Sequence, residues 1–101
     1  MSNAPKGYWI GHVSVDDPQA YQAYREANAA AFAKYGARFL VRGGEMELVE
    51  GDLRPRAVVI EFPSLQAARD CYLSPEYQRA MALRTPVSTA DLCIVEGWVE
   101  G

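Results

Sequence analysis

Long apolar runs are missing from this chain. No stretch approaches the ~20 residues that span a bilayer. The start, MSNAPKGYW, lacks the apolar block of a secretory leader. Basic runs are missing too. The net charge of -3 is spread along the sequence, with no positive patch interleaved with aromatics, so neither a membrane nor nucleic acid is an expected partner. Histidine occurs once, at His12, and the two cysteines, Cys71 and Cys93, show no CxxC spacing. One imidazole is a thin basis for a zinc site, which takes three or four protein ligands, and no metal is expected. Two free thiols suit a reducing, cytoplasmic setting. Gly43–Gly44 stands in neither a GxxxxGK[ST] nor a GxGxxG context, and no cofactor is expected. No Ser-His-Asp or Cys-His nucleophile arrangement can be assembled.

What is present is a core-forming sequence. Half of the 101 residues are hydrophobic, enough for one domain, read here as residues 6–101 behind a disordered tail over 1–5. A domain of this size buries only roughly two-thirds of its unfolded surface, so a partner chain would help it. Residues 8–15, YWIGHVSV, read as a strand. DDP follows, offering Asp16 or Asp17 as a helix cap with Pro18 in the first turn. Tyr21, Tyr24, Asn28, Ala31 and Tyr35 then recur at helical steps along one face, and Gly36 supplies the stop. ARFLVRGG is a second strand that breaks at the glycine pair, with EMELVE continuing it in a new direction. GDLRP turns the chain into a third strand over 56–62. Ser64 caps LQAARDCYL, Ser74–Pro75 restarts a helical piece over PEYQRAMALR, TPVST ends it, and DLCIVEGW, 91–98, is the fourth strand.

Strand, helix, strand, strand, helix, strand is the split βαβ, ferredoxin-like arrangement. The expected fold is α+β, with a four-stranded antiparallel sheet in the order 4-1-3-2 and the helices on one face. Alternation assigns faces. Trp9, Gly11, Val13 and Val15, Phe39 and Val41, Val58, Ile60 and Phe62, and Cys93, Val95 and Gly97 form the helix-packed sets, with Gly11 and Gly97 admitting a helix closely. The opposite face collects His12, Arg38, Arg42, Glu61 and Glu96. It also carries Tyr8, Ile10, Leu40, Val59, Leu92, Ile94 and Trp98. A solvated face would not hold so many large apolar groups. A second copy of the chain is the economical cover, and two such sheets would enclose a barrel-like cavity.

KGYWIGHVSVDDPQAYQAY, FAKYGARFLVRGG, VVIEFPS, CYLSPEYQ and IVEG resemble the family called domain of unknown function 1330, within the dimeric α+β barrel superfamily. The resemblance spans roughly residues 6–97. It implies a ferredoxin-like protomer and a homodimer, and it supplies no reaction. The wider superfamily includes cofactor-independent monooxygenases, lactone isomerases and haem enzymes, and fold does not choose among them.

Glu61 is the one charge in an apolar strand, and burying a carboxylate without a partner costs several kcal/mol. Placed between strands one and two, it can neighbour both His12 and Arg42. In the functional reading, a small organic molecule occupies a pocket on the non-helical face. There Arg42 holds an anionic or carbonyl group, His12 or Glu61 moves a proton, and Tyr8 and Trp98 shape the wall. Asn28 and Tyr77 reach the pocket from the helices. Cofactor-free isomerisation or oxygenation is the chemistry this permits. In the rival reading, Arg42 and Glu61 close an internal ion pair, and the dimer is structural or stress-related, without catalysis. Arg54 and Arg56 are read as hairpin or rim residues.

Overall fold

Serine and aspartate caps and proline starts punctuate the chain as the sequence indicates. In the computed structural model, which describes residues 4–100, the elements are β1 (Gly7–Val15), α1 (Pro18–Lys34), β2 (Arg38–Arg42), β3 (Arg56–Phe62), α2 (Leu65–Leu73), α3 (Pro75–Arg84) and β4 (Ser88–Glu96), with a 3-10 turn over Thr85–Val87 before β4. Part of the expected tail, residues 1–3, lies outside the described residues.

The Asp17 carboxylate accepts from the Ala20 amide at 3.1 Å, and Pro18 occupies the first turn of α1. Gly36, at φ +71°, takes the left-handed conformation that ends the helix. The Ser64 hydroxyl caps α2 by accepting from Ala67 N at 3.0 Å. Ser74 works in both directions: its hydroxyl donates to the Cys71 carbonyl at 2.7 Å and accepts from Tyr77 N at 3.1 Å. That splits one helical run into α2 and α3.

The strands form one sheet in the order β2-β3-β1-β4, every neighbouring pair antiparallel, which is the expected 4-1-3-2 read from the other edge. The helices cover one face. At its centre stands Trp9, 2% exposed. Its indole N–H donates to the Ala68 carbonyl at 2.9 Å. Around its ring lie Tyr77 at 4.8 Å, Phe62 at 5.2 Å and Phe32 at 5.4 Å, centroid to centroid, a distance range in which offset and edge-on rings attract.

Four sequence expectations are corrected. First, register inverts the faces of β4. Trp9, Gly11 and Val13 oppose Ile94, Leu92 and Ala90, so those three lie on the helix side. Cys93 and Val95 sit opposite Ile10 and Tyr8 on the other. Both alternating sets of this strand are apolar enough to be core, so alternation alone had no basis for the choice. Second, β2 carries an irregularity at Leu40: Phe39 pairs with Ile60, but Val41 pairs with Val59 and Arg42 with Val58. A bulge of this kind swaps the side on which every later residue points. Arg42 therefore faces the helices and Val41 faces away. Third, the tight glycine is Gly7. A Cβ there would run into the Ser64 carbonyl and Leu65 Cα at the start of α2. At Gly11 it would meet the Leu92 side chain, and at Gly97 the Tyr8 ring. Fourth, residues 45–50 form no strand. They hold three glutamates, and among the described residues no strand lies beyond β2 to pair with them. β4 itself begins at Ser88, earlier than expected, and ends before Gly97.

Candidate functional site

The two faces of the sheet offer different chemistry, and the residues singled out in the sequence divide between them. On the face without helices, Tyr8, Ile10, His12 and Ser14 of β1 run beside Ala57, Val59 and Glu61 of β3 and Thr89, Asp91, Cys93 and Val95 of β4. Tyr8 and Glu61 oppose each other directly, and the Tyr8 hydroxyl donates to Glu61 Oε2 at 2.9 Å. That hydrogen bond, which only the protonated phenol can donate, holds the Tyr8 hydroxyl pKa above its ordinary value, with burial and the facing carboxylate charge adding to it. Arg38 opposes Glu61 from β2. His12 lies between Ala57 and Asp91. Asp91 accepts from Arg54 Nε at 3.1 Å, and Arg54 also donates to the Ser14 hydroxyl at 3.3 Å. Val41 and Val95 remain 38% and 42% exposed here. Trp98, beyond the end of β4, is 83% exposed.

The other three, Asn28, Arg42 and Tyr77, meet on the helix side, where α1 and α3 stand off from the sheet and leave a cleft. Its free volume is about 50 Å³, within a wider space of about 550 Å³ that includes open solvent. The floor is Trp9, Gly11, Val58 and Ile60 of the sheet, with Ala90 and Leu92 from β4. The roof is Tyr21, Tyr24, Asn28 and Phe32 of α1 and Tyr77 of α3. The Tyr24 and Tyr77 hydroxyls share a buried hydrogen bond of 2.9 Å. Burial is the main cause that raises both phenols above their ordinary pKa, Tyr24 far above it, so each stays protonated. Asn28, 4% exposed, lies beside Tyr24.

Arginine completes the lining. Arg25, Arg42, Arg56 and Arg84 all border the cleft, and none of its lining residues is His, Asp or Glu. Arg42 lies over the Phe39 ring at 4.2 Å, Arg84 over Tyr24 at 5.6 Å and Arg56 over Tyr21 at 5.9 Å, each within cation–π range. The expected Arg42–Glu61 pair is absent, since the bulge in β2 puts the two on opposite faces.

Sequence reasoning missed Arg25, Arg56 and Arg84 as site residues, though the signal was there. Arg25 falls between Tyr21 and Asn28 at helical steps on the buried face of α1. Arg84 follows Tyr77 and Ala80 on that of α3. Arg56 alternates with Val58, Ile60 and Phe62. Each is a charge on an apolar stripe, the same mark that drew attention to Glu61. Among the described residues, no group of three or more His, Cys, Asp and Glu side chains gathers as a metal site, and no helix is long and apolar enough to cross a membrane.

Residues 6–98 match the family described as "Domain of unknown function (DUF1330)", and the chain belongs to that family. Comparison with curated proteins gives no match. Among solved structures, a protein of unknown function from Rhodopseudomonas palustris superposes with a TM-score of 0.73 at 17% identity, over 95% of this chain and 85% of that one. SnoaB, a cofactor-independent oxygenase from Streptomyces nogalater, gives 0.62 at 17% identity, over 96% and 97%. A dimeric protein of unknown function with a ferredoxin-like fold from Bacteroides fragilis gives 0.56 at 17% identity, over 95% and 98%. Identities this low establish a shared ferredoxin-like fold.

Proposed function

We propose that this DUF1330 protein is a homodimer that binds a small organic molecule, with the ligand in the helix-side cleft and the open sheet face given to the partner chain. The observation that carries this reading is the cleft itself. Aromatic walls and a few polar groups converge there, as in a small-molecule site. Its 50 Å³ of free volume favours a small ligand, or the end of a larger one. The hollow on the opposite side lies at the sheet's edge, between Ser14, Arg54 and Asp91 and the Asp52–Pro55 turn, and has no aromatic wall. The opposite face itself holds half-exposed apolar side chains in a row, the composition of a contact surface. A dimeric structural neighbour and two free thiols that suit a cytoplasmic setting support the assembly and its place.

Cofactor-free oxygenation, the activity named for SnoaB, is the chemistry this reading admits. No ordinary base lines the cleft, so the proton must come off an activated phenol or enol with little help. The cationic lining would stabilise the resulting anion. His12 and Glu61 then act from the open face, as bases only if the dimer closes a second cavity over them. The 2.9 Å bond from Tyr8 to Glu61 favours a positioning role for Glu61 in the interface.

Two variants test the location. Leu92→Trp fills the cleft from an exposed position, and Val59→Lys puts a charge in the middle of the open face. In a thermal-shift screen of small phenols and organic acids, Leu92→Trp is expected to lose the ligand response and keep the dimer. Val59→Lys is expected to lose the dimer and keep the response. The reverse pattern would place the ligand on the open face and overturn this reading.

A further inference from the structure

The cleft is built around cations that no carboxylate among the described residues neutralises. Arg84 is 9% exposed, so nine-tenths of it is buried, and its Nε–H has no hydrogen-bond partner. The Nε–H groups of Arg25 and Arg56 are equally shielded and equally unpartnered. All three residues line the same hollow, with no carboxylate among its walls. The ion pairs among the described residues join Lys34 to Glu76 and Arg54 to Asp91, and neither involves these arginines. The guanidiniums are not wholly idle. Arg84 reaches toward the Tyr77 hydroxyl, Arg56 toward that of Tyr21, and Arg25 donates from Nη1 to Gln22 at 3.3 Å. Those neutral partners leave the charge uncompensated. A buried donor without an acceptor is costly, and a buried cation without an anion more so. Such an arrangement persists in a net acidic protein when something outside the chain completes it.

Resting on the cleft as the ligand site, we infer that its ligand is an aromatic or similarly planar organic carboxylate. The carboxylate would enter the enclosed end against Arg84 and its neighbours, with the apolar body against the aromatic walls. Guanidinium presents paired N–H donors in the plane that a two-oxygen acceptor matches. Walls such as Trp9, Phe32 and Tyr24 suit an apolar ring better than the oxygen shell of a free phosphate or sulfate, which would leave acceptor atoms facing carbon. The small enclosed volume suits a head group, and the wider mouth suits the body behind it.

Isothermal titration calorimetry of the intact protein with benzoate, benzyl alcohol and sodium sulfate tests this. Benzoate is expected to bind at one site per chain, at least tenfold more tightly than benzyl alcohol or sulfate. Arg84→Met is expected to weaken benzoate at least tenfold and leave the weak benzyl alcohol affinity unchanged. Arg25→Gln provides the same comparison if Arg84→Met does not fold by circular dichroism. Arg54→Gln, whose side chain pairs with Asp91 away from the cleft, is expected to bind benzoate as the parent does. Benzyl alcohol binding as tightly as benzoate would overturn the anionic class while keeping the cleft as a ligand site. Sulfate binding more tightly than benzoate would overturn the organic class. Binding of neither aromatic probe would overturn both the class and the cleft reading.

Discussion

The Tyr24–Tyr77 hydroxyl pair ties α1 to α3 across the roof of the cleft, and its removal has a calculable signature. The rings are 8% and 1% exposed, and the hydroxyls lie 2.9 Å apart. Changing either residue to Phe keeps the ring packing, including the 4.8 Å contact of Tyr77 with Trp9, and takes the 2.9 Å partner from the other hydroxyl, which is left with Arg84 beside Tyr77 or Asn28 beside Tyr24. A buried polar group that loses its partner costs about 1–3 kcal/mol, so Tyr24→Phe and Tyr77→Phe are each expected to destabilise by about 1.5 kcal/mol. The double variant loses the shared bond once rather than twice, with Arg84 and Asn28 each giving up one neighbour. It is expected to cost about 1.5–2 kcal/mol, not the ~3 kcal/mol of a simple sum, which leaves a coupling of about 1 kcal/mol. Urea unfolding at one fixed protein concentration measures all four corners of the cycle. For a domain of this size each kcal/mol also moves Tm by about 4–8 °C. Additivity of the two single effects to within about 0.3 kcal/mol would show that the hydroxyls do not depend on each other and would refute the packing described for the roof.

Three further predictions follow from other parts of the molecule. Gly7→Ala sets a methyl against backbone at Ser64 and Leu65 and is expected to cost about 1–3 kcal/mol or more in urea unfolding, whereas Gly44→Ala, with open space around it, should cost far less. Cys71 is fully buried and its thiol is pushed up to about 12 by burial, so a thiol reagent should reach it only on unfolding; Cys93 is exposed on the open face and, if the proposed dimer covers that face, should react fast at high dilution and slowly at high concentration. The 2.7 Å Lys34–Glu76 bridge holds the Glu76 carboxyl below its ordinary 4.5 and the Lys34 ammonium above its ordinary 10.5. Its contribution is therefore full between those two values, is lost as pH falls below 4.5 through the lowered carboxyl, and is lost as pH rises above 10.5 through the raised ammonium. The urea midpoints of the parent and Glu76→Gln should converge at both extremes.

Element order, caps and strand order were legible in the sequence because they rest on local chemistry: Asp17 and Ser64 at helix starts, Pro18 and Pro75 in first turns, Gly36 at a stop. The faces of β1 and β3 were legible too, since Trp9, Gly11 and Val13, and Val58, Ile60 and Phe62, carry no polar side chain while the alternate sets hold His12, Ser14 and Glu61. The face of β4 was not, because Leu92 and Ile94 are as apolar as Cys93 and Val95, and only pairing with β1 distinguishes them. Arg42 was misplaced by one bulge at Leu40, which no single-strand pattern announces. That one residue moved the expected site: with Arg42 beside Glu61 the polar groups seemed to converge on the open face. With Arg42 turned toward α1, the cations converge with Asn28 and Tyr77 on the helix side. The three arginines that complete the cleft could have been found by asking of each apolar stripe which charge it carries.

The division of labour between the two faces stands or falls with the assembly, and the mass of the protein in solution tests it most directly. Light scattering or sedimentation equilibrium at micromolar concentration should give twice the 11.2 kDa of one chain, falling toward 11.2 kDa in Val59→Lys. A stable 11.2 kDa species for the parent protein would leave the row of apolar side chains on the open face in water and contradict the account.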